Sequence, residues 1–145
     1  MKLTRVVESQ VDPLRVWAYL SDFTTTTEWD PGTVETTRTS GDGGVGTTYH
    51  NVSKFAGRKT ELIYQVLEYD PGRRLALVGR NKSVVAHDTL TFETVGSGTR
   101  VTYEVDFDFQ GIASVVAPLL APALKKLADG GQDGMQRALD RLAVS

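Results

Sequence analysis

The chain has 145 residues, with 16 Lys plus Arg against 18 Asp plus Glu and a formal net charge of −2. That length fits one domain over residues 1–145, and a chain of this size buries about 68–70% of the surface its unfolded form exposes, enough for a sizeable core with room for a cavity. No block of like charge exceeds a pair, so the clustered basic face of a nucleic-acid binder is missing, and the lack of cysteine excludes disulfides, thiolate nucleophiles and cysteine metal sites.

Residues 3–9 alternate polar and apolar with β-branched members and read as a first strand. No export signal is visible there, and a cytoplasmic protein fits. Asp12 before Pro13 is an N-cap followed by proline at the first helical position, and Val16, Trp17 and Leu20 give that helix one apolar side. Ser21 and Asp22 end this helix or cap a second short one. The segment SDFTTTTEWDPGT, residues 21–33, then sets a run of threonines ahead of a lone Trp29. Residues 34–39 suit a strand, and SGDGGVG at residues 40–46 is a glycine turn. Further strand segments follow at residues 47–55, 60–69, 75–79, 84–95 and 99–109, separated by AG, YDPGRR, RNKS and GSG, which predicts an antiparallel meander. Residues 112–144 are helical by composition, with apolar Val116, Leu119, Leu120, Ala123, Leu124, Leu127, Met135, Leu139 and Leu142. Gly130, Gly131 and Gly134 each weaken a helix by about 1 kcal/mol relative to alanine, which predicts a bend or break there. The longest apolar run, residues 112–124, is too short to span a bilayer and carries Pro118 and Pro122, so stable membrane insertion is not expected.

Residues paired across an antiparallel ladder point to the same side of the sheet. A two-residue AG hairpin sets Phe55 opposite Arg58, Asn51 opposite Leu62 and Tyr49 opposite Tyr64, so Tyr49, Asn51, Ser53 and Phe55 share the face of Leu62, Tyr64 and Val66. In the next hairpin, pairing Val95 with Arg100 sets Phe92 opposite Tyr103, Leu90 opposite Val105 and Asp88 opposite Phe107. The inward set thus mixes Tyr49, Asn51, Ser53, Tyr64, Asp88 and Tyr103 with apolar residues. Buried polar groups need partners, water or a ligand, and a partly hydrated pocket accounts for the mixture. The alternative is that the tyrosine hydroxyls reach the rim and the polar residues lie near strand ends.

His87 and Asp88 are sequence neighbours on a strand and point to opposite faces, so they form no dyad. His50 and His87 offer no metal-ligand spacing, and no metal or other cofactor is expected. Asp106 and Asp108 share a face about 7 Å apart, but with Glu104 they belong to the polar side and read as a solvated stripe. SGDGGVG leads into a strand and lacks the Lys-Ser or Lys-Thr pair of a phosphate loop. Lys125, Lys126, Arg137 and Arg141 read as a solvated helix face. Asp88 is the sharper case. In an apolar pocket it would serve as proton donor or acceptor, with Tyr64 beside it as the other catalytic candidate; at the strand's open end it would be hydrated or paired with Arg80.

The motifs VDPLRVWAYLSDFTTTTEWDP, VGTTY, YQVLEYDPGRRLAL, TLTFETVGSGTRVTYEVDF and APLLAPALKK follow one another over nearly the whole chain. In that order they resemble the START-like SRPBCC superfamily, and within it the polyketide cyclase/dehydrase-like group. The resemblance implies an α+β helix-grip fold: a curved antiparallel sheet of about seven strands wrapped around a long C-terminal helix, with two short helices after the first strand and a cavity between sheet and helix. It implies a small hydrophobic, lipid-like or aromatic ligand, held by Trp29 at the pocket mouth, Tyr49, Asn51, Tyr64, Asp88, Tyr103 and Phe107 on the sheet, and Leu120 and Leu124 on the last helix. Some members of the group catalyse cyclisation or dehydration, so a cyclase, aromatase or dehydratase using Asp88 and a tyrosine is the rival reading. Residues 112–124 would be either a gate beside the cavity or a surface for self-association into a homodimer.

Overall fold

Strand β1 spans Lys2–Ser9 in the computed structural model, which describes residues 1–145. Asp12 caps the next element as its spacing predicts: its Oδ1 accepts from the backbone N–H groups of Leu14 and Arg15 at 3.1 and 3.2 Å, and α1 runs Pro13–Leu20 with Val16, Trp17 and Leu20 buried. Asp22 caps a single 3-10 turn, Phe23–Thr25, which continues into the short α2, Thr26–Trp29. The remaining strands are β2 (Thr33–Ser40), β3 (Thr48–Phe55), β4 (Arg58–Asp70), β5 (Arg74–Arg80), β6 (Val84–Val95) and β7 (Gly98–Phe109), followed by the long helix α3, Ile112–Ala143. The sheet is antiparallel throughout, in the order β1-β7-β6-β5-β4-β3-β2.

The AG hairpin has the expected register, with Tyr49 opposite Tyr64 and Phe55 opposite Arg58. Ala56 and Gly57 both have positive φ, 53° and 80°, the geometry of a turn whose twist matches its strands. The β6–β7 hairpin differs from expectation by two residues: the turn is Gly96–Ser97, so Val95 faces Gly98, Phe92 faces Val101, Leu90 faces Tyr103, and Asp88 faces Val105. Because the slip is even, every side chain keeps its predicted face. In β4 the register shifts between Val66 and Glu68, a bulge at Leu67 that returns Tyr69 to the inner side. Trp17 of α1 meets Tyr69 and Phe92 edge-on there, each at 5.1 Å between ring centroids.

α3 runs without a break from Ile112 to Ala143, through its glycines and through Pro118 and Pro122. Gly134 serves close approach: a β-carbon on it would stand 1.8 Å from the Trp29 carbonyl oxygen. The helix lies along the free edge of β1, where Gln132 and Gln136 donate to the Val6 and Glu8 carbonyls at 2.9 and 2.8 Å and Arg5 bonds Asp129 at 2.9 Å. Those contacts occupy an edge that would otherwise offer unpaired backbone groups. Met135, Ala138 and Leu139 reach the core with α1 and the inner faces of the strands. The first turns of α3 stand clear of it, with Ile112, Val115 and Leu119 more than three-quarters exposed and Val116 exposed as well. No helix is long and apolar enough to cross a membrane.

Gly134→Ala is expected to lower stability by about 1–3 kcal/mol despite its better helix propensity, because the helix must move off Trp29. Gly131→Ala meets nothing within 4 Å and is expected to be neutral or stabilising by up to about 1 kcal/mol. Denaturant unfolding of the two variants checks both signs.

Candidate functional site

The solid core occupies one end of the space between sheet and helix, and the other end is hollow. A cavity of about 180 Å³ lies between the inner faces of the strands and residues 124–131 of α3, lined by 20 residues of which 13 are hydrophobic. An apolar cavity of ~150 Å³ already holds a benzene ring, so one ring system fits. The lining reaches Thr60, which is exposed, so the cavity opens to solvent on that side.

One row across the sheet sets the tilt of Tyr64 in the cavity wall. Tyr49, Tyr64, Gly79, Ala86 and Phe107 are successive cross-strand partners, and the two smallest residues occupy the middle strands. The Tyr64 ring lies over Gly79, where a β-carbon would come within 2.6 Å of its Cε1 and Cζ. That tilt carries the hydroxyl of a β4 residue across β5 toward β6, where Asp88 sits on the adjacent row. Tyr103, on β7, is the diagonal neighbour of Asp88 and donates its hydroxyl proton to Asp88 Oδ2 at 2.5 Å. Trp29 packs edge-on against the Tyr103 ring, 5.6 Å between centroids.

Asp88 is 2% exposed. Burial disfavours its charge and raises its pKa to about 7; the hydroxyls of Tyr103 and Tyr64 oppose the rise, while the nearby Asp30 carboxylate adds to it. Burial likewise pushes the phenols of Tyr64 and Tyr103 well above their ordinary value, and the Asp88 charge reinforces this. Asp88 Oδ1 is the only buried side-chain N or O atom without a hydrogen-bond partner. Asp88 has neither an Arg80 partner nor a hydrated position at a strand end: it is enclosed, with Tyr103 as its bonded neighbour.

Of the residues predicted to line the cavity, Trp29, Tyr64, Asp88, Tyr103, Phe107 and Leu124 do so. Tyr49, Asn51 and Leu120 do not. Tyr49 is packed in the solid core against Phe23, 5.7 Å between ring centroids. Asn51 is spent on a buried polar chain: its Nδ2 donates to Thr36 Oγ1 at 2.9 Å, Thr36 bonds Thr26 at 2.7 Å, and Ser53 donates to Asn51 Oδ1 at 2.7 Å. Leu120 lies a turn beyond the cavity and is half-buried. Trp29 also differs from expectation, for it is only 2% exposed, and its indole N–H is satisfied by Thr25 Oγ1 at 3.3 Å. Of the threonines before it, Thr26 bonds the Thr36 hydroxyl of β2 and Thr27 accepts from the Thr36 N–H, while Thr25 donates to the Tyr19 and Asp22 carbonyls. Sequence reasoning missed Arg5 and Asp30, which also line the cavity. Arg5 shares the inward parity of Leu3 and Val7, a signal that was available; Asp30 is brought in by the end of α2, which left none. His50 pairs with Glu61 at 2.9 Å and His87 is exposed, both outside the cavity.

A carboxyl whose pKa is raised on folding keeps a proton that the unfolded chain has already lost. Its contribution to stability is complete below the ordinary carboxylate value and declines as pH rises toward about 7. Burial also raises Asp30, in the same sense. Unfolding free energy is expected to fall by about 2–3 kcal/mol between pH 5 and pH 8, and Asp88→Asn to remove most of that slope, as measured by urea titration at each pH.

Residues 1–144 match the family described as polyketide cyclase / dehydrase and lipid transport. Among curated proteins, none matches the chain. Among solved structures, the Zhui aromatase/cyclase from Streptomyces sp. R1128 is similar with a TM-score of 0.83 at 13% identity, over 97% of this chain and 94% of that one. TTHA0849 from Thermus thermophilus gives 0.83 at 16% identity over 100% and 99% of the two chains. A START superfamily protein from Mycobacterium smegmatis gives 0.77 at 13% identity over 97% and 98%. Identities this low carry the fold alone, which is the helix-grip arrangement described above. With the match extending over all but the last residue, the chain belongs to the polyketide cyclase/dehydrase and lipid transport family.

Proposed function

We propose that the chain binds a small, largely apolar ring compound in the cavity between the sheet and α3. The observation that carries this reading is the cavity's make-up: a mostly apolar wall with a single buried polar atom left open, Asp88 Oδ1. Ligand sites are typically apolar hollows with a few polar groups that fix orientation. An unsatisfied buried oxygen is disfavoured by about 1–3 kcal/mol until something bonds it. Family membership supports a hydrophobic ligand, and the aromatase/cyclase likeness keeps a reaction in view.

One observation favours a second, catalytic reading. A carboxyl with pKa about 7 exchanges its proton readily at neutral pH, which suits a general acid or base in a cyclisation or dehydration. Binding is the reading that requires fewer groups, since it uses the cavity and Asp88 alone.

Purification under native conditions followed by mass spectrometry is expected to recover a small apolar compound, and added tetralin is expected to quench or shift tryptophan emission through Trp29. Ala128→Phe, which fills the hollow from α3, is expected to abolish both without loss of fold. Absence of both signals in the unaltered protein, or their survival in the filled variant, overturns the cavity reading. Conversion of a poly-β-ketone mimic that ceases in Asp88→Asn would support catalysis.

A further inference from the structure

The hydrogen-bonding capacity of the cavity wall can be accounted for group by group. Asp30 accepts from the Gly32 N–H at 3.0 Å and from the Thr33 hydroxyl at 3.0 Å. Asn81 donates to the Glu61 carbonyl at 3.0 Å and accepts from the Ser83 and Val84 N–H groups at 2.7 and 3.0 Å. Ser53 is bonded to Asn51, and the Arg5 guanidinium to Asp129 and the Thr4 carbonyl. Two groups around the carboxyl are left open: Asp88 Oδ1 has no partner, and the Tyr64 hydroxyl turns toward that same carboxyl with no other partner in the protein.

Their chemistry defines what would satisfy them. Tyr103 donates to Oδ2, so the Asp88 proton belongs on Oδ1, facing the side where no protein acceptor stands. Tyr64 brings a second O–H toward the same carboxyl, its ring held over Gly79. Two donors that converge with no acceptor between them fit one oxygen carrying two lone pairs. A ligand hydroxyl could accept from the same two donors but would be left with a proton of its own to place in an apolar wall. An apolar enclosure holds a carboxyl neutral and able to donate, which fits the direction of the Asp88 shift.

We propose that Asp88 and Tyr64 form a two-donor seat for a carbonyl oxygen, and that this seat selects ring ketones over hydrocarbons of the same shape. The inference rests on the binding reading above and names its ligand class. It also makes selection dependent on pH, since an ionised Asp88 loses its donor and repels a carbonyl. The groups facing Asp88 are Tyr103 from β7, Tyr64 from β4 and Asp30 from the end of α2, with Arg5 of β1 further along the wall and held by Asp129. Asp30 also titrates upward, so a variant that changes Asp88 alone is needed to separate them.

The test compares 1-tetralone with tetralin, which differ by the carbonyl, by calorimetric titration of the full chain at pH 6 and pH 8.5. The unaltered protein is expected to prefer the ketone about tenfold at pH 6, as two neutral hydrogen bonds would give, and to approach parity at pH 8.5. Asp88→Asn keeps an acceptor for Tyr103 and a permanent N–H donor for the ligand, and is expected to hold the preference at both pH values. Tyr64→Phe is expected to reduce it about threefold with tetralin binding unchanged. Equal affinity of the unaltered protein for the two compounds at pH 6, or loss of the preference in Asp88→Asn at pH 6 while tetralin still binds, overturns the seat and leaves the binding reading standing. Failure of both compounds to bind overturns the two together.

Discussion

The carbonyl of Trp29 occupies the space where a β-carbon on Gly134 would stand, and the arrangement above the sheet depends on that contact. A second close approach supports it, since a β-carbon on Gly32 would stand 2.5 Å from Leu127 Cδ1. Gly134 thus lets the end of α2 sit on the helix backbone, and Gly32 lets the turn after it sit on the Leu127 side chain. With α2 fixed, the Trp29 ring is held against Tyr103, and Tyr103 in turn fixes the buried end of Asp88. The same contact separates the solid core, built on Met135, Ala138 and Leu139, from the hollow facing Leu124, Leu127 and Ala128. Gly134, and Gly130 against Pro31, therefore act here through packing, which outweighs a propensity cost of about 1 kcal/mol each.

The hollow is disfavoured by the ordinary forces of folding. Lost contacts around a void of about 180 Å³ cost stability. Asp88 adds a carboxyl enclosed by that wall with one oxygen unsatisfied. Native structures leave few such atoms, and local departures from good packing tend to gather where a site is needed. The surroundings are correspondingly stiff: Tyr64 is pinned by Gly79 beneath it and by Phe23 at 5.0 Å between ring centroids, and the Thr26–Thr36–Asn51–Ser53 chain ties the overlying segment to two strands. Rigid support of this kind keeps the open donors open, because neither Tyr64 nor Asp88 can swing to satisfy itself elsewhere.

Much of this was legible in residue order. The α1 cap at Asp12, the meander and the inward faces of β3, β4, β6 and β7 follow from alternation and turn residues, and parity survived even the two-residue slip at Gly96–Ser97, where an even shift leaves every face unchanged. Parity could say that Asn51 and Tyr49 point inward, but inward means the core at one end of the sheet and the cavity at the other, and alternation along a strand does not separate the two. The fate of Trp29 lay beyond local reading for a related reason. Its burial depends on Gly134, more than a hundred residues away in sequence, and on the Thr25 hydroxyl that replaces water at its N–H. The glycines of α3 pointed to a break on propensity alone, because their partner surface was not visible from the helix's own sequence.

Proton transfer and carbonyl binding make different demands on the same pair of groups. A general acid that protonates a substrate must later recover its proton, and a second titratable group placed across the ligand usually shares that work. The other carboxylate in the wall, Asp30, has its oxygens committed to Gly32 and Thr33. Arg5 is committed to Asp129. The tyrosine phenols are held well above their ordinary pKa, which makes them donors rather than bases. The wall therefore offers one exchangeable proton, on Asp88, with the Tyr64 hydroxyl converging on it and no second carboxyl free to share the work. That inventory suits polarising and holding a carbonyl; a full acid–base cycle would need solvent, entering past Thr60, to return the proton after each turnover.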